Sequence, residues 1–376
     1  MKKFYSVFGF LALLLLAGTA LLHLALPDKA YSETEKRNLA GAPVLSAERI
    51  FDGRAMTDIE AYAADQFPLR AFWMHARMNL MQAEGLRENE GVVLLSDGSL
   101  AECFDGWDEE KMTALAGALR RFAGENEFRA VYLLPVTTKS GLYPELFPGW
   151  LTPASQRLYA ERLKEELRRE VTVLDGRTPL ADMKAEGGQV YFLTDHHWTQ
   201  DAARRTFEEN AAVTGWKTGS WSHGVVSNGF LGSLAAKSGF TPRYADSVTA
   251  WKADDGTDEA LILHAADGTT TVGFYDYAAL ERSDRYEFYL GTNEPELVIR
   301  TVADTNDTLL VLKDSYANAF IPFLAGSYKT ITVVDPRYYA ESLDMLLAED
   351  EYTDVLILYN IQTLSQDSHL QQLLSE

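Results

Sequence analysis

The sequence predicts an α/β fold, a parallel sheet flanked on both sides by helices. Short apolar runs alternate with longer amphipathic stretches from about Gly91 to Asp175, and the pattern resumes from about Thr308 to the end of the chain. Polar residues able to do chemistry stand where those runs stop, at Leu134-Pro135-Val136-Thr137-Thr138, Lys313-Asp314-Ser315 and Val334-Asp335. In sheets of this kind ligands bind at the carboxyl ends of the strands.

The elements follow in order. Lys2 and Lys3 precede an apolar stretch from about Phe4 to Leu26, interrupted by Ser6, Thr19 and His23. Roughly 20 apolar residues cross a bilayer, and flanking lysines stay on the cytoplasmic side. The run exceeds the roughly 7–15 residues of a cleaved signal core, and no A-x-A-like site follows before Pro27. Residues 1–27 therefore read as an uncleaved signal anchor, a single-pass transmembrane helix that leaves the rest outside the cytoplasm. Residues 28–90 read as a polar tether and a helical segment. Ser46 caps a short helix ending near Gly53, and apolar positions from Ile59 to Met81 mark one or two amphipathic helices broken at Pro68.

Residues 91–376 read as the α/β domain. Val92–Leu95 is a strand followed by the turn Ser96-Asp97-Gly98-Ser99. A helix over about 109–126 leads to the strand Ala130–Leu134, ended by Pro135, and a helix over about 153–170 leads to the strand 171–175. Later come strands at 309–312, 330–334 and 355–359, with helices near 316–324 and 339–349. Between the halves, from about 216 to 296, Trp216, Trp221, Trp251 and alternating runs such as Phe274-Tyr275-Asp276-Tyr277 indicate a β-rich insertion.

Composition excludes several classes. The 376 residues carry 34 Lys and Arg against 55 Asp and Glu, a formal charge of -21. Such a surface repels nucleic acid and is not drawn to anionic lipid. Cys103 is the only cysteine, so neither an intramolecular disulfide nor a Cys-rich zinc site can form. No Walker loop or dinucleotide fingerprint appears, and no cofactor is expected. A metal site is not expected either: His196 and His197 are adjacent, poorly placed for one ion, and no third ligand has a recognisable spacing.

Two motifs carry chemistry. In Asp195-His196-His197-Trp198 a carboxylate at i can orient the imidazole at i+2, leaving the other ring nitrogen to take a proton from a hydroxyl. Far downstream, the apolar run 308–312 meets Asp314-Ser315, as expected of a serine displayed at a strand-to-helix turn. Together they suggest a Ser-His-Asp hydrolase or transferase. The same residues would also serve as two loop histidines and a helix-capping Asp-Ser pair, and spacing leaves both readings open.

Thr194-Asp195-His196-His197-Trp198-Thr199 resembles the signature of the DHHW protein family, which is similar to the SGNH-hydrolase-like domain of the alginate O-acetyltransferases AlgJ and AlgX. Tyr31–Leu39, Asp65-Gln66-Phe67-Pro68-Leu69-Arg70, Gly98, Phe230-Leu231-Gly232-Ser233-Leu234 and Lys313-Asp314-Ser315-Tyr316 carry the resemblance along the chain, to about Asn360. It implies an SGNH-like α/β domain in which Ser315 is the nucleophile, His197 the base and Asp195 its orienter. It also implies O-acetyl transfer to a cell-surface polysaccharide, with the acyl group delivered by a separate membrane-bound O-acyltransferase. Lys313 stands where the acetyltransferase motif has Gly. With water as acceptor the same residues would make a carbohydrate esterase; without turnover the chain would be a glycan-binding or assembly protein.

The remaining candidates flank this constellation. Ser315 is expected at a helix start, where free amides and the dipole favour an oxyanion. His196 is expected to point away from His197, in a packing or hydrogen-bonding role, and Trp198 to wall the site. Thr137, Thr138 and Lys139 at a strand end, and Lys313 and Asp314 beside the serine, are candidates for substrate contact. Asn228, Gly229 and Gly232 are candidates for oxyanion donors, since small residues let backbone approach a ligand.

Overall fold

The structure is a computed structural model that describes residues 2–32, 37–167 and 169–375. The chain divides into two compact units: Met1–Leu86 with Ala236–Thr241, and Arg87–Ala235 with Pro242–Glu376.

The first unit holds helices α1 (Lys2–Ala25), α2 (Ala47–Phe51), α3 (Arg54–Asp65) and α4 (Arg70–Ala83), with a small antiparallel pair, β1 (Tyr31–Ser32) and β2 (Arg37–Asn38). Ser46 caps α2, accepting from the Arg49 amide at 3.3 Å, and α3 and α4 part at Pro68. Asp65 and Gln66 knit the tether to α3. Arg37 grips Asp65 in a fork at 2.6 and 2.9 Å, while the Gln66 side chain bonds both Lys29 and Ala40. Among the described residues no helix is long and apolar enough to cross a membrane. The side chains of residues 2–8, 11, 12, 15, 16 and 24 on α1 lie outside the described residues, so the expected transmembrane helix rests on the sequence alone.

The second unit opens with a three-stranded antiparallel sheet, β3 (Glu88–Asn89), β4 (Val92–Leu94) and β5 (Leu100–Glu102). Next come α5 (Glu109–Glu125), β6 (Ala130–Val136), α6 (Lys139–Leu142), α7 (Gln156–Leu167), β7 (Thr172–Val173), α8 (Thr178–Ala185) and α9 (Gln200–Thr214). The segment expected as an insertion supplies β8 (Trp221–Phe230), α10 (Ser233–Ser238), β9 (Asp246–Ala253), β10 (Ala260–His264) and β11 (Thr270–Val272). The chain closes with β12 (Glu296–Thr301), β13 (Thr308–Lys313), β14 (Thr330–Val334), α11 (Leu343–Glu349), β15 (Asp354–Asn360), α12 (Ile361–Gln366) and α13 (His369–Leu373).

The central sheet has eight strands in the order β11-β10-β12-β14-β13-β15-β6-β7. From β14 to β7 the pairings are parallel, and β6 and β13 flank the same strand, β15. Beyond β14 they are antiparallel, so the sheet is mixed rather than parallel. The physical reason lies in the insertion: β10 and β11 are joined by a short turn, which permits only antiparallel pairing, and they extend the sheet instead of standing apart from it. Of the strands in this segment, β8 and β9 pair with each other in a sheet of their own.

Strand alternation builds two cores. Leu309 and Val311 of β13 join Leu134, Leu356 and the aromatic residues of α9 and the insertion on one face. Leu310 and Leu312 join Leu133, Ile357 and the apolar sides of α5 and α7 on the other. Burial on both faces explains why these strands read as continuous apolar runs. One expected helix is absent: after Ser315 the chain makes two short 3-10 turns, Ser315–Ala319 and Ile321–Leu324.

Candidate active site

The Asp195 loop is a closed turn. Tyr191 and Trp198 form an isolated antiparallel bridge, and the Phe192 amide donates to the His197 carbonyl at 3.2 Å. Asp246 clamps the loop from β9, accepting from the amides of Leu193 and Thr194 at 2.6 and 2.9 Å and from the Thr194 hydroxyl at 2.6 Å. Thr199 then caps α9 through the Ala202 amide, 3.2 Å away.

Across the sheet top, β13 ends at Lys313 and delivers Ser315. The two segments meet in one hydrogen-bonded line. His197 Nδ1 lies 2.6 Å from Asp195 Oδ1, and His197 Nε2 lies 2.7 Å from Ser315 Oγ. With its proton on Nδ1 facing the carboxylate, the imidazole accepts the serine hydroxyl at Nε2. Asp195 and His197 are buried, whereas Ser315 is only partly so and remains open to a reactant. Burial, and then His196, push the His197 imidazole below its usual value against the pull of Asp195, so it is neutral and able to accept a proton at pH 7. Burial alone would raise the Asp195 carboxyl; the two imidazoles and the Ser233 amide more than offset this and hold it well below the usual carboxylate range.

Several supports had no signal in the sequence. Tyr286, from the inserted segment, stacks face to face on His197 with centroids 3.5 Å apart and planes 4° apart. Its hydroxyl donates to the Ser315 carbonyl at 3.1 Å, so one residue braces both His197 and Ser315. The Ser233 amide donates to Asp195 Oδ2 at 2.7 Å, fixing the carboxylate's second oxygen. No motif marks Tyr286 or Asp246; Ser233 and Gly232 lie within the recognised Phe230–Leu234 stretch, which gives them no role by itself.

The other predicted residues fall differently. Lys139 is buried with its ammonium on the carbonyls of Leu100 (2.5 Å) and Phe192 (2.7 Å), and burial lowers it to about 8. Thr137 and Thr138 are buried too, Thr138 held by Gln156, so this strand end braces the fold and does not face substrate. Trp198 is fully buried, donates to the Tyr316 carbonyl at 2.9 Å and stacks on Phe320, standing behind the site rather than in its wall. Asp314 accepts from the amides of Tyr316 and Asn360 and from the Asn360 side chain, and burial raises it to about 6. It, not Ser315, caps the 3-10 turn, and a turn of 5 residues has little dipole to offer an oxyanion.

Lys313 points into a buried network with Asn293 (2.8 Å), Asn318 (2.9 Å) and Asp335 (3.5 Å), and burial lowers it to about 8. It too is turned away from solvent. His196 does not point away from His197: the bend at this loop brings the rings to 3.8 Å between centroids. Its Nδ1 reaches Ser233 Oγ at 2.8 Å, a hydrogen-bonding role as expected. Asn228 and Gly229 lie exposed on β8 at a bulge, with Asn228 bonded to Ser247 and Arg285. Gly229 has φ 76, a left-handed conformation that favours glycine.

Gly232 is no oxyanion donor, because its amide donates to Thr194 Oγ1 at 2.9 Å. Its requirement is space: a Cβ there would lie 2.3 Å from the Asp195 Cβ and 2.7 Å from its Cα. Gly232→Ala is therefore expected to displace Asp195 and to lower both melting temperature and ester turnover. A variant with wild-type values in both would show that the loop yields freely.

Asp195, His196 and His197 each offer one ligand atom, all within 4.8 Å of one another, closer than adjacency in the sequence suggested. Asp195 Oδ1 and His197 Nδ1 are hydrogen-bonded to each other, and His196 Nδ1 to Ser233 Oγ.

Residues 105–221 match the sequence profile described as SGNH hydrolase-like domain, acetyltransferase AlgX. That span contains Asp195 and His197 and stops before Ser315. A DHHW family protein from Eubacterium siraeum DSM 15702 superposes with a TM-score of 0.64 at 20% identity, covering 76% of this chain and 96% of that one. Bacillus cereus PatB1, solved with a sulfonyl adduct, gives 0.60 at 20% identity over 74% of this chain and 98% of its own. The O-acetyltransferase domain of Pseudomonas putida AlgJ gives 0.46 at 17% identity, over 76% and 99%. Curated protein sequences provide no match. The chain thus shares the fold of the DHHW protein and PatB1 and resembles, over residues 105–221, the SGNH hydrolase-like domain of acetyltransferase AlgX.

Proposed function

We propose that this chain is a membrane-anchored, extracytoplasmic O-acyltransferase, an O-acetyltransferase in its simplest form, that modifies a cell-surface polysaccharide. The observation that carries the reading is the unbroken Asp195–His197–Ser315 line, with 2.6 and 2.7 Å links. Ser315 Oγ attacks the acyl carbonyl while His197 Nε2 takes its proton. The tetrahedral adduct collapses, the donor's leaving group departs with that proton, and the acyl group remains as an ester on Ser315. A sugar hydroxyl then attacks this ester, giving its proton to His197; the sugar ester leaves and the proton returns to Ser315. Asp195 keeps the imidazole in the reactive tautomer and offsets its transient charge, and the Tyr286 ring holds its plane.

The matched AlgX profile supports the acetyl class; the polysaccharide acceptor is taken from the resemblance of the Asp195-His196-His197-Trp198 motif to the alginate O-acetyltransferases. The apolar stretch after Lys2 and Lys3 supports the anchor, which would keep Ser315 near an acyl donor held in the membrane, such as a membrane-bound O-acyltransferase. Water in place of the sugar would turn the same cycle into ester hydrolysis.

The test is capture of the intermediate. The protein is mixed with an activated acetyl ester, quenched in acid and digested, and the peptide bearing Ser315 is examined by mass spectrometry. An added acetyl group at Ser315, blocked by prior treatment with a sulfonyl fluoride, is the expected result. Acetyl transfer to an added oligosaccharide, rather than to water alone, marks a transferase. An unmodified Ser315 across several acyl donors would leave a glycan-binding protein as the better reading.

A further inference from the structure

A groove lies along the free edge of the central sheet, away from the triad residues themselves. Two cavities, of about 250 and 940 Å³, share the wall residues Val272, Gly273, Phe274, Tyr275 and Tyr277, and so adjoin. Strand register orients them. His264, in the smaller cavity, pairs with Leu297, which pairs with Val333 beside Val311, near the end of the sheet from which Ser315 emerges. Glu294 lines the same cavity, and its neighbour Asn293 accepts from Lys313 at 2.8 Å. Ala260, Arg300 and Lys329, in the larger cavity, lie at the opposite end of these strands. From Ala260 to His264, four steps along β10, that separation is about 14 Å, a length for a chain of sugars rather than one ring.

The two ends differ in charge. In the smaller cavity His264 is paired with Glu294 at 2.7 Å, and Arg282 is paired with Asp276. The larger one is lined by Lys252, Arg300 and Lys329, none of which makes a salt bridge or side-chain hydrogen bond to another described residue. They face two wall carboxylates, Asp258 and Glu259, in a chain that otherwise carries 21 excess negative charges. Between the ends stands Tyr277, 52% exposed, its ring fixed edge-on against Phe288 at 5.3 Å. A rigid, half-exposed aromatic face suits the apolar face of a sugar.

We propose that this groove binds the acceptor as an extended acidic polysaccharide. Its anionic groups meet Lys252, Arg300 and Lys329 several sugar units away from the hydroxyl that Ser315 acylates. The inference rests on the acyltransferase reading for the identity of the ligand as acceptor, but its binding half needs no turnover. The probes are an oligogalacturonate and an uncharged glucan oligomer of equal length, titrated calorimetrically into the full chain at low and high salt. Tighter binding of the oligogalacturonate at low salt is expected. The triple variant Lys252→Ala, Arg300→Ala, Lys329→Ala should weaken it at least about tenfold, as three exposed charge contacts of modest strength each would. Tyr277→Ala should weaken both probes.

Equal affinity for the two probes, absence of binding by both, or an unaffected triple variant would overturn the proposal. Turnover of a small acetyl ester should be unchanged in the triple variant; its loss there would assign the three cations to folding and overturn it too. If the parent protein itself fails to turn over the ester, the acyltransferase reading falls while the binding result stands on its own.

Discussion

Ser315→Ala is expected to lower kcat/KM for an acetyl ester by several orders of magnitude, with the melting temperature nearly unchanged. The size follows from the proposed role: without its nucleophile a triad loses the covalent route altogether. The absence of a stability cost follows from local structure. Asp314, not Ser315, caps the turn, and the serine hydroxyl makes its contact with His197 at a partly open position. A capping serine would instead cost about 1 kcal/mol when replaced. Kinetics and thermal unfolding on the same preparation check both halves. Retained turnover would remove Ser315 from the mechanism, and a large drop in melting temperature would give it a structural role.

Asp195→Asn is expected to reduce turnover about ten-thousand-fold, the scale at which a Ser-His-Asp triad suffers when its histidine is held in the wrong tautomer. Here the change should also destabilise the fold, because the carboxylate is fully used. Oδ1 accepts from both the ring and the amide of His197, and Oδ2 accepts from the Ser233 amide. An asparagine has one acceptor oxygen, so one buried N–H would face an NH2 group, at a cost of about 1–3 kcal/mol. Loss of activity together with a lowered denaturation midpoint is the expected pair. Full activity would show that the imidazole is oriented by the Tyr286 stack alone.

What the sequence made legible, and what it hid, divides along a physical line. Strands buried on both faces, such as 309–312 and 355–359, declare themselves as apolar runs, and the observed strands extend these by about one residue at either end. The Asp195-x-His197 spacing is local, so its geometry could be anticipated, and Ser315 was found because a strand end displays it. Contacts set by tertiary packing left no such mark. Tyr286 reaches His197 from a segment whose only signal was aromatic alternation. Lys139 sits at a strand end that looks like a binding edge, yet two carbonyls draw its ammonium inward. The antiparallel half of the sheet was missed because β10 and β11 show alternation with no hint of the partner they join.

The order of strands imposes a timetable on the chain. β15 is the last strand made, yet it lies between β13 and β6, and Arg129 beside β6 closes on Asp354 with a separation of 225 residues. Until that strand arrives, both neighbours present bare edges, the condition in which sheets recruit foreign strands. A chain made from its amino end therefore carries Ser315 before the sheet that seats it can close. Pairings this distant in sequence are intrinsically slow to form, so those edges stay bare for longest at the centre of the sheet.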